Sequence, residues 1–254
     1  MGKVIALVNQ KGGVSKTVST INIGGGLARK GKKVLLIDFD SQGSMSLACG
    51  IQSYKQQSTI YEVLKGDCSI KEAIVHCNHF DVVPSDLRLA KTEGEIANEP
   101  GREQFLKEAI EPIKNDYDFI LIDCSPSLGI LTNNALTSCD FVLIPTISDF
   151  LPMIGISQLF MTISTIQRRL NPKIKVLGIF VSMYDSRANI TKEIEGMLQK
   201  QFAQFMLQSK IRKNVALSEA TTIGKDIFEY DPNSNGAIDY SNLVDEILEK
   251  LSRI

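Results

Sequence analysis

Short runs of β-branched and other apolar residues alternate along the chain with longer stretches in which apolar residues recur every three or four positions. The runs Val4–Asn9, Val34–Phe39, Phe80–Pro84, Phe119–Asp123, Phe141–Pro145 and Val176–Ser182 are nearly continuous in apolar character, as strands buried on both faces of a parallel sheet are. Helical spacing runs near Thr17–Lys30, Glu103–Lys114, Ile130–Ser138, Ile156–Leu170, Ile190–Phe202 and Asn242–Leu251. This alternation predicts an α/β fold: a doubly wound, mostly parallel sheet with helices on both faces. No linker rich in Gly, Ser or Pro divides residues 1–254 and no repeat is visible, so a single domain is expected. In such sheets ligands gather at the carboxyl ends of strands, which directs attention to Asn9–Thr17, Asp38–Gly43, Asp123–Ser127 and the Ser182–Asn189 turn.

With 43% apolar and 22% charged residues among 254, the chain is globular rather than disordered. Five cysteines (Cys49, Cys68, Cys77, Cys124 and Cys139) form no close pair, so free thiols in a reducing compartment are expected. The apolar stretch Val4–Val8 is too short for a signal h-region, and no segment reaches membrane-spanning length, which points to the cytoplasm. The formal charge of −1 conceals an asymmetry: residues 160–225 hold eleven Lys and Arg against four acids, an excess of +7 that leaves −8 elsewhere. A chain so divided can hold polyanions on one surface.

The first strand leads into Gln10-Lys11-Gly12-Gly13-Val14-Ser15-Lys16-Thr17 and then a helix. Glycines let backbone N–H groups approach a polyphosphate, Lys16 adds a point charge, and the Thr17 hydroxyl at the helix N-terminus can ligate Mg²⁺. The strict pattern G-x-x-x-x-G-K-[ST] fails at Gln10 and Ser15, leaving nucleotide binding and an ordinary Gly-rich turn evenly balanced on that pattern alone.

The second lysine changes the balance, because Lys11-Gly-Gly-x-x-Lys16-Thr resembles the deviant Walker A box of the ParA/MinD P-loop ATPases. Leu36-Ile-Asp38-Phe-Asp40-Ser-Gln42-Gly43 is similar to that family's second motif, and Ile120-Leu-Ile-Asp123-Cys-Ser-Pro126 to its Walker B strand. Val176-Leu-Gly-Ile, Met183–Arg187, Asn214–Ala220 and Tyr230-Asp-Pro232 resemble the small Soj-like members, so the likeness spans nearly the whole chain. It implies an ATPase that is slow without a partner, with Lys16 on the β- and γ-phosphates and Lys11 reaching the nucleotide of a second subunit in an ATP-dependent homodimer. Two face-to-face nucleotides need such donated cations. The nucleotide would lie on Lys11, Gly12, Gly13, Val14, Ser15, Lys16, Thr17 and Val18, with Asn214 at the adenine. Thr17, Asp38 and Asp123 would serve Mg²⁺, and Asp40 would position the attacking water. Ser15 replaces the usual glycine and Val18 a common threonine; if residue 15 needs φ > 0, Ser costs about 1 kcal/mol there and hydrolysis slows.

The resemblance also offers two targets. A MinD-like protein ends in a basic amphipathic helix for anionic lipid, but here the stretch Leu243–Ile254 is acidic through its middle, and its apolar stripe reads as packing. The basic excess falls where Soj-like proteins bind nonspecific double-stranded DNA, so Arg187, Arg168, Arg169, Lys173, Lys175, Lys192, Lys210, Arg212 and Lys213 are the candidates. Such contacts would be sequence-independent and salt-sensitive. The expectation is a DNA-partitioning switch on the nucleoid, with a ParB-like partner that stimulates hydrolysis and no stable membrane association. A membrane-positioning ATPase and a hydrolysis-impaired scaffold are the alternatives. With the phosphate loop at residue 11, no N-terminal helix-turn-helix domain is expected.

Two other signals are weaker. Asp231–Asp239 imitates the start of an EF-hand loop, but Asn242 stands where the bidentate Glu belongs. His76-Cys77-Asn78-His79 hints at a metal yet lacks a known ligand spacing, and a surface turn is favoured.

Overall fold

The computed structural model describes residues 2–254 apart from 149, 150, 186 and 188; the side chains of 151–154, 189, 190 and 192 also lie outside the described residues, and with them that of Lys192. Eight strands form one sheet: β1 (Lys3–Leu7), β2 (Val34–Phe39), β3 (Val75–His76), β4 (Asp81–Val83), β5 (Phe119–Cys124), β6 (Phe141–Ile147), β7 (Lys175–Tyr184) and β8 (Met206–Arg212). Their order is β3-β4-β2-β5-β1-β6-β7-β8, parallel throughout except for the β3–β4 pair at one edge. The six runs expected from apolar continuity are all strands.

Alternate residues of each central strand feed two separate cores. Val4, Ala6 and Val8 join Ile120, Ile122, Ile144 and the helices Ile130–Ser138 and Leu151–Arg169 on one face. Ile5 and Leu7 join Leu36, Leu121, Leu143 and the helices Lys16–Arg29 and Asn235–Ser252 on the other. Helices therefore cover both faces, and β1 sits where they change sides, between β5 and β6.

Three consecutive glycines explain how closely the helix Lys16–Arg29 packs. A Cβ on Gly24 would lie 2.8 Å from Leu36, one on Gly25 would lie 2.7 Å from the Asp226 carboxylate, and one on Gly26 would lie 2.8 Å from Val244. Glycine inside a helix costs about 1 kcal/mol relative to alanine, so close approach is what these positions gain.

The structure extends the sequence reading, adding β3, β8 and the helices Ser44–Ala48 and Val215–Thr222 and lengthening the last helix. β8 lacks a continuous apolar run because it is an edge strand, with Leu207 and Ile211 buried and Gln208 and Arg212 exposed. The final helix begins at Asn235, seven residues before the predicted start, behind a Ser234 cap. Its apolar stripe, Leu243, Val244, Ile247 and Leu251, is buried in the core. Its acidic middle is structural, because Glu246 accepts the N–H groups of Gln208 and Ser209 at 2.8 Å each and so closes an exposed sheet edge. The EF-hand imitation dissolves for the same reason, since Asp239 lies within this helix and pairs with Arg212.

Candidate functional site

β1 delivers the chain into a loop braced from β6 and from β7. The buried Asn9 donates through Nδ2 to the Pro145 carbonyl at 2.8 Å and accepts the Lys11 N–H at 3.0 Å. From β7, the Ser182 hydroxyl donates to the Val14 carbonyl at 3.1 Å, or to that of Thr146 at the same distance. Gly13 takes φ 73°, and added Cβ atoms at Gly12 and Gly13 would meet nothing within 4 Å, so the loop backbone is open toward solvent. Ser15 also takes a left-handed conformation, φ 65°, at the N-cap of the helix Lys16–Arg29. The condition under which serine is costly there is met.

Lys16 is buried and folds back over the loop, donating to the Asn9 carbonyl at 3.1 Å and the Lys11 carbonyl at 3.3 Å. Burial lowers its pKa, an effect that the Asp123 carboxylate opposes. Thr17 donates its hydroxyl to Asp123 Oδ2 at 2.6 Å, and Thr20 reaches Oδ1 at 3.4 Å. The common threonine at position 18 is thus absent while a hydroxyl two residues on reaches the same carboxylate; Val18 packs on the core instead.

Parallel pairing of β2 with β5 puts Asp38 in register with Asp123. Both are buried, and burial followed by the neighbouring acid pushes the Asp123 carboxyl up to about 7. Asp38 rises to about 6 because of its burial, against the hydrogen bonds it accepts from the Ser46 N–H at 2.8 Å and hydroxyl at 2.7 Å. Such a pair of desolvated carboxyls is suited to receiving a cation. Asp40 lies half-buried at the following turn, where it accepts the Gln42 N–H at 3.0 Å. Gly43 is required there: at φ 61°, a Cβ would stand 2.8 Å from the Ser85 carbonyl.

The donor set fits a magnesium–polyphosphate. Open backbone amides of a glycine loop, a lysine at the start of a helix, one hydroxyl and buried carboxylates supply anion and hard-cation ligands from adjoining strand ends. Two further buried hydroxyls at the end of β6 and just beyond it, Thr146 Oγ1 and Ser148 Oγ, have no hydrogen-bond partner among the described residues. Asn214 lies beyond β8, where it caps the helix Val215–Thr222 by accepting the Ala216 N–H at 2.9 Å, with Nδ2 against Gly236.

The basic candidates do not form one patch. β7 is ten residues long, about 30 Å at 3.3 Å per residue. Lys173 and Lys175 flank its beginning, as do Arg168 and Arg169 at the end of the helix Leu151–Arg169, so all four lie at the amino end of the sheet, away from the phosphate loop. Arg187, Arg212 and Lys213 lie at the carboxyl end. There Arg212 is committed to Asp239 at 2.7 Å. Lys210, two residues earlier on the same strand, is ion-paired with Glu195 and stacked 4.7 Å above the Tyr184 ring. Arg187 is highly exposed and forms a two-pronged contact with Asp185 at 3.0 Å, which holds that carboxyl down at about 2. Lys213 is exposed beside the same acid.

Fold and loop together define a P-loop nucleotide-binding protein of the doubly wound class. Residues 2–176 match the AAA domain family, and the chain belongs to it, within the Soj/ParA branch. It is 40% identical over 249 residues to the sporulation initiation inhibitor protein Soj of Bacillus subtilis, covering 97% of this chain and 98% of Soj. It is 38% identical over 252 residues to the chromosome partitioning protein ParA of Myxococcus xanthus, covering 98% and 89%. Among solved structures, a Mycobacterium smegmatis protein described as cobyrinic acid a,c-diamide synthase, with bound ADP and magnesium, superposes with a TM-score of 0.88 at 32% identity, covering 99% and 96%.

The loop lysines, Thr17 and the acids are visible in the sequence motifs, whereas the bracing roles of Asn9 and Ser182, at the edges of the strand-end segments, and that of Ser46 are not. Asn9 and Ser182 are single polar residues just beyond or near the end of an apolar strand, and Ser46 lies in the short helix Ser44–Ala48. A polar residue at the buried end of a strand is the signal that could have found Asn9 and Ser182.

Proposed function

We propose that this chain is an ATP-hydrolysing DNA-partitioning switch. ATP with Mg²⁺ binds the loop, two copies pair, the pair holds duplex DNA without sequence preference, and hydrolysis stimulated by a ParB-like partner releases it. The observation that carries the reading is the Thr17–Asp123 contact at 2.6 Å beside an open glycine loop, which joins the two halves of a nucleotide–metal site.

Each residue has a physical role in this scheme. Lys16 exchanges its two loop carbonyls for the β- and γ-phosphates, gaining charge-assisted bonds. Thr17 and Asp123 hold the metal, which when bound neutralises the phosphate charge that develops during transfer. Asp38 stands behind Asp123 and, through Ser46, shapes the turn that presents Asp40 to the attacking water. Lys11 serves the nucleotide of the second copy, and Asn214 offers its amide to the adenine. Ser15 in the left-handed region slows the unassisted reaction.

Arg187 and Lys213 at the carboxyl end are the strongest phosphate contacts, and Arg168, Arg169, Lys173 and Lys175 form a separate set. The protein works in the cytoplasm on the nucleoid. Burial of the apolar stripe of the last helix favours DNA over a lipid surface.

The test is retention on nonspecific duplex DNA with ATP, ADP or no nucleotide at two salt concentrations. Binding that needs ATP and falls with salt is expected. Arg187→Glu should weaken it, and Arg187→Ala should reduce the salt slope by about one. No retention in any state would remove the DNA assignment and direct attention to liposomes.

A further inference from the structure

The two histidines of this chain sit in one segment, His76 at the end of β3 and His79 in the turn before β4, and the fold carries the second of them to acids distant in sequence. His79 Nε2 stands 3.9 Å from Glu229 Oε2, and one ligand atom each of His79, Asp226 and Glu229 lies within 4.8 Å of the others. They line a cavity of about 180 Å³ whose wall also includes Cys49 and Cys77. Among the described residues no other group of three His, Cys, Asp or Glu side chains converges in this way.

Asp226 is the unusual member. It is 3% exposed and forms no ion pair among the described residues. Oδ1 caps the short helix Ile227–Tyr230 by accepting the Glu229 N–H at 2.9 Å, while Oδ2 overlies Gly25. A carboxylate this buried ordinarily has a cationic partner. The neighbouring cation in sequence, Lys225, lies instead on Glu229 Oε1 at 3.1 Å.

We propose that His79, Asp226 and Glu229 form a zinc-binding site, with water completing the coordination, separate from the nucleotide–magnesium site. An imidazole with two carboxylates is a borderline donor set that suits Zn²⁺, whereas Mg²⁺ takes oxygen ligands and retains several waters. Tetrahedral ligands at about 2.0–2.2 Å from an ion stand roughly 3.5 Å apart, so the three donors, now within 4.8 Å of one another, would close by about 1 Å around it. The site joins the Cys77–Phe80 turn to the Ile227–Tyr230 helix, which is itself fastened to the helix Lys16–Arg29 through the Ile227 N–H donating to Asn22 at 2.7 Å. Zinc therefore clamps the antiparallel edge of the sheet to the helix that begins at the phosphate loop. Lys225 competes with it for Glu229.

The experiment is calorimetric titration of the full chain with Zn²⁺, without nucleotide or Mg²⁺, paired with visible absorption of the Co²⁺-substituted protein. One site is expected in the wild type, with a raised melting temperature and a tetrahedral Co²⁺ spectrum. His79→Ala and Asp226→Asn should each weaken binding by roughly tenfold or more, Lys225→Met should strengthen it, and Asp123→Asn should leave it unchanged. His79 is 40% exposed, so its replacement does not endanger folding. Equal titration by wild type and His79→Ala overturns the proposal. So does loss of the site in Asp123→Asn, which would place the ion with the nucleotide carboxylates, or in the combined Cys49→Ser, Cys68→Ser, Cys77→Ser variant, which would make it a thiol site.

Discussion

Lys16, Thr17 and Asp123 are held within reach of one another by β1 and β5, at the centre of the sheet, whereas the basic residues of the β7–β8 region are spread over the outer edge and both its ends. At the centre, one turn of loop and two paired strands determine the geometry, and burial makes each polar group answer to a neighbour. At the edge, the cations have no common frame. Lys210 and Arg212 are taken by Glu195 and Asp239, Arg187 and Lys213 share one half-buried acid, and four others lie at the far end. A buried site can therefore be inferred from the spacing of its motif, while a charged surface cannot be inferred from the number of charges a segment carries.

The largest test of this contrast sets Lys16→Ala against Arg187→Glu. Removing a buried, charge-assisted donor should lower nucleotide affinity by about 100-fold, while the exposed arginine should change it by less than about twofold. A fluorescent-nucleotide titration measures both, and comparable losses would mean that the two regions are not independent.

Within the basic edge, Arg212 and Lys213 should behave differently although they are adjacent. Arg212→Ala leaves the Asp239 carboxylate, 8% exposed, without its ion-pair partner. The cost should be about 1–2 kcal/mol in urea unfolding, discounted because the arginine is itself half-exposed. Lys213→Ala should stay within about 0.5 kcal/mol. Equal effects would count against a structural role for Arg212.

Ser15→Gly relieves the left-handed serine and should raise stability by about 1 kcal/mol in the same assay, with faster phosphate release from the ATP-bound chain. Unchanged turnover would detach the strain from the chemistry.

The smallest effect concerns thiols. Burial pushes the Cys124 and Cys139 thiols up, so both should stay unmodified by a thiol reagent under native conditions. Cys68 is half-buried and should react, and mass mapping after brief labelling distinguishes them.

The parts legible in the sequence share one property: each is written in contiguous residues. Strands buried on both faces announce themselves as apolar runs, and Lys11–Thr17, Asp38–Gly43 and Asp123 follow directly from three of them. β8 is hard to read because an edge strand keeps polar residues, and its bulged register against β7 breaks strict alternation. The final helix starts earlier than its obvious apolar pattern because its first turns bury Ala237 and Tyr240, a stretch of the stripe that the intervening Gly236, Asp239 and Asn242 obscure in the sequence.

Residue order alone was enough for the layered α/β architecture, because strand burial and helical spacing are local; the phosphate loop and the acids opposite it were readable through their resemblance to the ParA/MinD motifs, which are contiguous too. Which polar residues brace the loop emerges only from the folded chain: Ser182 reaches Val14 across 168 positions, and Asn9 reaches Pro145 across 136. The same holds for the ten residues of β7 that separate one group of cations from another, and for the meeting of His79 with Asp226 and Glu229. Those outcomes depend on which strand lies beside which, and that order is set by packing two cores at once rather than by any single stretch of residues.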